Sequence, residues 1–93
     1  ATYAFPSPCA PLRGTPARIV FALAATADVT IEVYDAGGAR VRTLRQTSLP
    51  PGNQTVEWDG RSDGGRVVAN GVYLYVITTS TGHTARGKMM VFN

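Results

Sequence analysis

The sequence predicts an all-β chain folded as a sandwich of about seven short strands. Three observations carry this reading. Apolar and polar residues alternate over short runs, the period of a half-buried strand. Turn residues separate those runs at intervals of roughly 8 to 14 residues. Nowhere do apolar residues recur at helical spacing for three turns, so no α-helix is expected. The length of 93 residues suits one core and is too short for two.

Residues 1–16, ATYAFPSPCAPLRGTP, hold four of the six prolines. Proline lacks an amide donor and fixes its own φ, so this stretch reads as an extended edge or lead-in to a sandwich over 17–93. ARIVFAL, residues 17–23, places Ile19, Phe21 and Leu23 on one face. DVTIEVYD, residues 28–35, is the cleanest strand. Val29, Ile31 and Val33 point one way, and Thr30, Glu32 and Tyr34 the other. The AGGA turn at 36–39 has two glycines able to take the positive φ of a tight hairpin. In RVRTLR, Val41 and Leu44 stand three apart, so burying both requires a bulge or bend at Arg42–Thr43. LPPGN, residues 49–53, turns the chain into QTVEW, where Val56 and Trp58 share a face. VYLYVITT, residues 72–79, puts Tyr73, Tyr75 and Ile77 on one side and Val72, Leu74 and Val76 on the other. A short STGH turn at 80–83 leads to a last strand, TARGKMMVF, at 84–92.

Composition excludes several classes. The single cysteine, Cys9, rules out an internal disulfide and reads as a small buried apolar residue. The Cys…Trp…Cys spacing of antibody domains is absent, so a disulfide-free sandwich of immunoglobulin or fibronectin-III-like topology fits. Net charge is +3, from eight arginines and one lysine against six acids. Arg40, Arg42 and Arg45 cluster, but as a solvated strand face rather than the dense basic surface of a nucleic-acid binder. No apolar run approaches the roughly 18 to 20 residues of a membrane span. The chain begins with Ala1 and shows no basic-then-apolar leader, as expected of a trimmed domain or the processed end of a longer protein.

The stretch WDGRSDGGRVVANGVYLY, residues 58–75, carries the chemistry worth weighing. Calcium needs six to eight oxygens, and Asp59, Asp63 and Asn70 are the donors it would use here. Arg61 and Arg66 beside the two acids favour local ion pairs instead. A phosphate loop is excluded, because no helix follows Gly71 and GRSDGG lacks the lysine. The structural reading explains each residue type. Trp58 is a core anchor. The Asp59 carboxylate accepts backbone N–H groups two or three residues on, closing an Asx-type turn. Gly60, Gly64 and Gly65 allow torsions that side chains forbid, and Asn70-Gly71 turns the chain into the next strand. His83 lies in a turn with no acid beside it in sequence, so it has no triad around it.

The tyrosines raise a second possibility. Both faces of VYLYVITT are apolar, which implies a strand covered on both sides or an aromatic patch facing a partner. Tyr34, Tyr73 and Tyr75, with Arg40, Arg42 and Arg45, form the expected partner surface. If exposed, the tyrosines would also suit stacking on a polysaccharide.

The order VTIEVYDAGGARVRTL, PPGNQTVEWDGRSDGGRVVANGVYLYVI and GKMMVF resembles the FlgD-type immunoglobulin-like domain family. That family is named for the flagellar hook-capping protein, and relatives occur at the C-terminal ends of many secreted and surface bacterial proteins. The signature falls on Trp58, Asp59, Gly60, Asp63, Gly65, Gly71 and Tyr73. The lead-in YAFPSP resembles a Y-x-P-N-P opening, with Ser7 where Asn is usual. The chain is also similar to C-terminal sorting domains of type IX secretion, although it ends MMVFN without their usual terminal basic residue. The resemblance implies a non-catalytic module without a cofactor, in a secreted, cell-surface or filamentous bacterial assembly. Its work there would be spacing, anchoring or docking against protein subunits, with a secretion-sorting domain or a glycan-binding module as the competing roles.

Overall fold

A computed structural model describes residues 2–93. Among these residues seven strands form, and every pairing between them is antiparallel. They are β1 (Tyr3–Phe5), β2 (Ala17–Leu23), β3 (Ala27–Asp35), β4 (Arg40–Leu49), β5 (Gly52–Trp58), β6 (Gly71–Thr79) and β7 (Thr84–Val91). A short 3₁₀ turn, Pro11–Arg13, follows β1. One sheet runs β1-β2-β5 and the other β4-β3-β6-β7, which gives the expected seven-stranded, disulfide-free sandwich.

Alternation decides what goes inside. Ile19, Phe21, Val56 and Trp58 come from the small sheet, and Val29, Ile31, Val33, Tyr73, Tyr75, Ile77, Met89 and Val91 from the large one. The two layers meet where the Trp58 ring stands edge-on to Tyr73, with centroids 5.4 Å apart. Such a contact adds about 0.5–1.5 kcal/mol beyond the area both rings bury.

Within the proline-rich lead-in, β1 is an edge strand on β2, with Tyr3 opposite Val20. The chain then crosses to the other layer. Cys9, fully buried, donates its N–H to the Met90 carbonyl at 2.8 Å, and its own carbonyl accepts the Phe92 N–H at 2.9 Å. This segment therefore ties the two sheets together along one side.

The bulge in β4 is real but sits one residue earlier than Arg42–Thr43. Arg42 pairs with Val33 and Arg40 with Tyr34, so Val41 is the extra residue. The strand then regains alternation through Leu44. A second irregularity lies between Gln46 and Leu49, where Ser48 takes a φ of 54°. Asp28 Oδ1 holds that residue by accepting its N–H at 2.8 Å.

Candidate functional site

The connection from Trp58 to Gly71 is a small structured loop. Trp58, fully buried, donates its ring N–H to the Arg61 carbonyl at 2.9 Å. Asp59 Oδ1 accepts the Arg61 N–H at 3.0 Å, which closes an Asx-type turn. Gly60 is buried against Pro11 with a φ of +72°, and a Cβ there would lie 2.7 Å from the proline ring. Both torsion and space thus call for glycine. The tip closes with the Ser62 N–H donating to Arg66 and the Gly65 N–H to Ser62, at 2.8 and 2.9 Å. Tyr73 anchors the far end by donating its hydroxyl to the Ala69 carbonyl at 2.6 Å.

The loop is fastened to β4, and the ion pairs differ from those expected. Arg42, not Arg61 or Arg66, neutralises the two acids. Its guanidinium donates to Asp59 Oδ1 at 3.1 Å and to the Arg61 carbonyl at 3.0 Å, and Nε lies 3.8 Å from Asp63 Oδ1. Arg61 instead donates to the Gly65 carbonyl at 3.1 Å. Asp63 completes the attachment through its backbone N–H to Val41 at 2.8 Å and its carboxylate on the Thr43 N–H at 3.0 Å. Arg42 therefore belongs to this bracket rather than to a free partner surface.

The candidate calcium donors do not converge. Asn70 Oδ1 accepts the Asn93 N–H at 2.9 Å, away from the acids, while the Arg42 guanidinium stands against both carboxylates. Among the described residues no three His, Cys, Asp or Glu side chains gather as metal ligands. The donor set present suits an arginine better than a divalent cation.

Two of the three candidate surface tyrosines are core residues. Tyr73 is 5% exposed and Tyr75 fully buried, so neither ring offers a platform for a sugar or a partner. The physical reason lies across the strand. Gly87 faces Tyr75 in β7 and leaves the space its ring fills, and a Cβ there would collide with the ring. Burial, with the Asp35 charge second, pushes the Tyr73 phenol up from its ordinary value.

The opposite face of β6 is the exposed one. Val72, Leu74, Met90 and Phe92 are 38%, 46%, 42% and 63% exposed. Half-buried Tyr34 and Val76 adjoin them through the pairs Tyr34–Leu74 and Glu32–Val76. Arg40, beside Tyr34, pairs with Glu32 at 3.1 Å. Arg45, Arg86 and Lys88 are exposed and form no ion pair among the described residues. An apolar centre with a cationic border thus covers the outside of the large sheet.

The FlgD Ig-like domain model matches residues 11–83, most of the chain. The chain belongs to the FlgD Ig-like domain family. It is 43% identical over 56 residues to the basal-body rod modification protein FlgD of Salmonella typhimurium, covering 60% of this chain and 24% of that protein. It thus spans about a quarter of the length of that relative. It is 26% identical to FlgD of Xanthomonas campestris, a protein described in connection with hook capping essential for flagellar assembly. That match has a TM-score of 0.66 over 97% of this chain and 61% of the other. PorZ of Porphyromonas gingivalis, an essential surface component of a type-IX secretion system, shares the fold. It aligns over the whole of this chain and 12% of its own length, with 21% identity and a TM-score of 0.69.

Two features of the structure escaped the sequence. The Arg42 bracket joins residues far apart in the chain, which no local pattern reveals. The outer patch had a usable signal, since Gly87 opposite Tyr75 marks which side of β6 has room for rings.

Proposed function

We propose that this domain is a docking module of a bacterial extracellular or cell-surface assembly, held to neighbouring subunits through the outer face of the large sheet. One observation supports this above the others: Val72, Leu74 and Met90 stand exposed together on the outer face of β6 and β7, and exposed Phe92 follows just beyond β7. Contiguous apolar surface of this kind marks interaction sites on otherwise soluble domains. Tyr34, opposite Leu74, and Arg40 beside Tyr34 border it and supply the polar rim usual at such interfaces. Leu74→Glu with Met90→Glu in the parent protein tests the reading. The domain should keep its melting temperature while the parent fails to join its assembly. Normal incorporation would sink the proposal.

A secretion-attachment role is the second reading, prompted by the whole-chain fold likeness to PorZ. Deleting Lys88–Asn93 is a poor test, because it also removes the core residues Met89 and Val91. Lys88→Glu with Phe92→Ser changes only exposed positions. If that variant folds but stays inside the cell, the attachment reading stands. If it is exported and merely fails to assemble, docking stands.

A further inference from the structure

Apolar and charged residues are sorted across the outer face of the large sheet. Directly opposed residues of paired strands project to the same side, so the register gives this face row by row. On β6 the outward residues Val72, Leu74 and Val76 are all apolar. Their neighbours on β7 are Met90, Lys88 and Arg86 in turn. On β3, Tyr34 stands opposite Leu74 and Glu32 opposite Val76. On β4, Arg40 stands opposite Tyr34, and Arg45 lies further along, opposite Thr30. The apolar residues therefore run down β6 and widen onto Tyr34 and Met90, while cations stand on both outer strands. Glu32 is the one acid in these rows, and Arg40 already pairs with it at 3.1 Å. Arg86 and Lys88 are exposed and form no ion pair among the described residues.

The dimensions fit one kind of neighbour. From β4 to β7 there are three strand spacings, about 14 Å. A helix is about 10 Å across, so one lying along β3 and β6 brings its flanks down on the outer strands. Val72 to Val76 spans about 14 Å at the rise of a strand. A helix covers that length in about nine residues, which is two to three turns. A second sheet on this face would also cover the cations and strip water from charges that have no partner. A helix leaves them at its margins, where the charged flanks of an amphipathic stripe lie.

We propose that this face receives an amphipathic α-helix of a neighbouring subunit, with an apolar stripe and acidic residues on the flank that lies over β7. The proposal rests on the docking reading and names its occupant. The stripe packs on Val72, Leu74 and Val76, with Tyr34 closing one side and Met90 the other. Glutamates or aspartates on the flank meet Arg86 and Lys88. Charge and secondary structure exclude a second copy of this domain. Its helical content among the described residues is the three-residue turn Pro11–Arg13, and two such faces would set their cations against one another. A bilayer is disfavoured because Val72, Leu74 and Met90 lie within strands rather than on a loop that could insert.

The test titrates the isotopically labelled chain with a synthetic peptide of about 15 residues, short enough to be only marginally helical when free. Its leucines recur every three or four positions, and glutamates flank them. Chemical shifts should move at Tyr34, Leu74, Val76 and Met90, and the peptide should gain helical circular dichroism. A version with lysines in place of the glutamates should bind about tenfold more weakly. A scrambled version without the stripe should not bind. Arg86→Glu with Lys88→Glu should reverse the preference between glutamate and lysine peptides while keeping the melting temperature, since both side chains are exposed. Equal binding of the two peptides by the unaltered chain would remove the charge argument and overturn the proposal. Binding without a gain of helix, or no binding at millimolar peptide, overturns it as well. Phosphatidylglycerol vesicles that shift the same residues when the peptide does not would assign the face to a membrane instead. The assembly assay with Leu74→Glu and Met90→Glu separates the two readings. Lost assembly without peptide binding leaves docking intact and removes the helix. Normal assembly removes docking whatever the peptide does, and the proposal falls with it.

Discussion

Tyr75 and Gly87 form a cross-strand pair in which one residue has a ring and the other makes room for it. Gly87→Ala sets a methyl group against that ring, and overpacking a filled core costs about 1–3 kcal/mol. For a domain of this size each kcal/mol lowers Tm by about 4–8 °C. Gly64→Ala is the control, since its nearest neighbour would be Ser62 Oγ at 3.8 Å and Gly64 is exposed. A thermal melt should show a clear drop for the first and almost none for the second. Two buried titratable groups give a further check. Burial pushes the Cys9 thiol up, against a smaller opposing effect of a backbone hydrogen bond, and burial pushes the Tyr73 phenol up. Both groups stay protonated in the folded chain at pH values where the unfolded chain has begun to release the proton. Their contribution is therefore complete below the unfolded pKa values, about 8.5 for the thiol and 10 for the phenol, and is lost as pH rises through the folded ones. Tm should fall from about pH 9 upward, and Cys9→Ala should flatten the first part of that fall. A profile unchanged by the substitution would contradict the assignment to Cys9.

At the scale of elements, the Trp58–Gly71 loop acts as a guard on β4. Asp63→Ala removes the acceptor for the Thr43 N–H and one partner of Arg42. A single such bond is worth about 1 kcal/mol net, so the domain should stay folded. The Thr43 amide, however, should exchange faster with solvent, while amides of β6 keep their protection. If Thr43 exchange is unchanged, the loop is not what protects this edge. Because Arg42 stands against both acids, adding a chelator should leave Tm unmoved. These elements also show what the sequence revealed and what it hid. Strict alternation in 28–35 gave β3 nearly residue for residue, because each side chain there has only one face it can bury. VYLYVITT gave its strand but not its orientation, since both faces are apolar and period-two reasoning is symmetric between them. The symmetry is broken by Gly87 and Trp58, partners brought in by the fold. β4 was foreseen to bulge, but the bulge fell at Val41, where Arg42 turns toward Asp59. The pairing of Arg42 with acids across the loop depends on tertiary contact alone.

At the scale of the whole molecule, the family match and the folding unit differ in extent. The match covers residues 11–83, yet the core includes Cys9 before that range and Met89 and Val91 after it. Those residues also close the sandwich, because Cys9 bridges to β7 after β1 has paired with β2. A fragment of residues 11–83 would lose β1, all of β7 and three fully or almost fully buried side chains. Truncating a single buried residue such as methionine costs about 2–5 kcal/mol, against a total stability of about 5–15 kcal/mol for an ordinary domain. Removing a strand also strips β6 of its hydrogen-bonded neighbour and uncovers the rings of Tyr73 and Tyr75. The fragment should therefore show no cooperative thermal transition and should bind a dye for exposed apolar surface, whereas residues 1–93 should melt in one step. A cooperative melt for the fragment would mean that β3, β4 and β6 hold together against β2 and β5 without the closing strands. The tie through Cys9 would then be decoration on a smaller core rather than part of it.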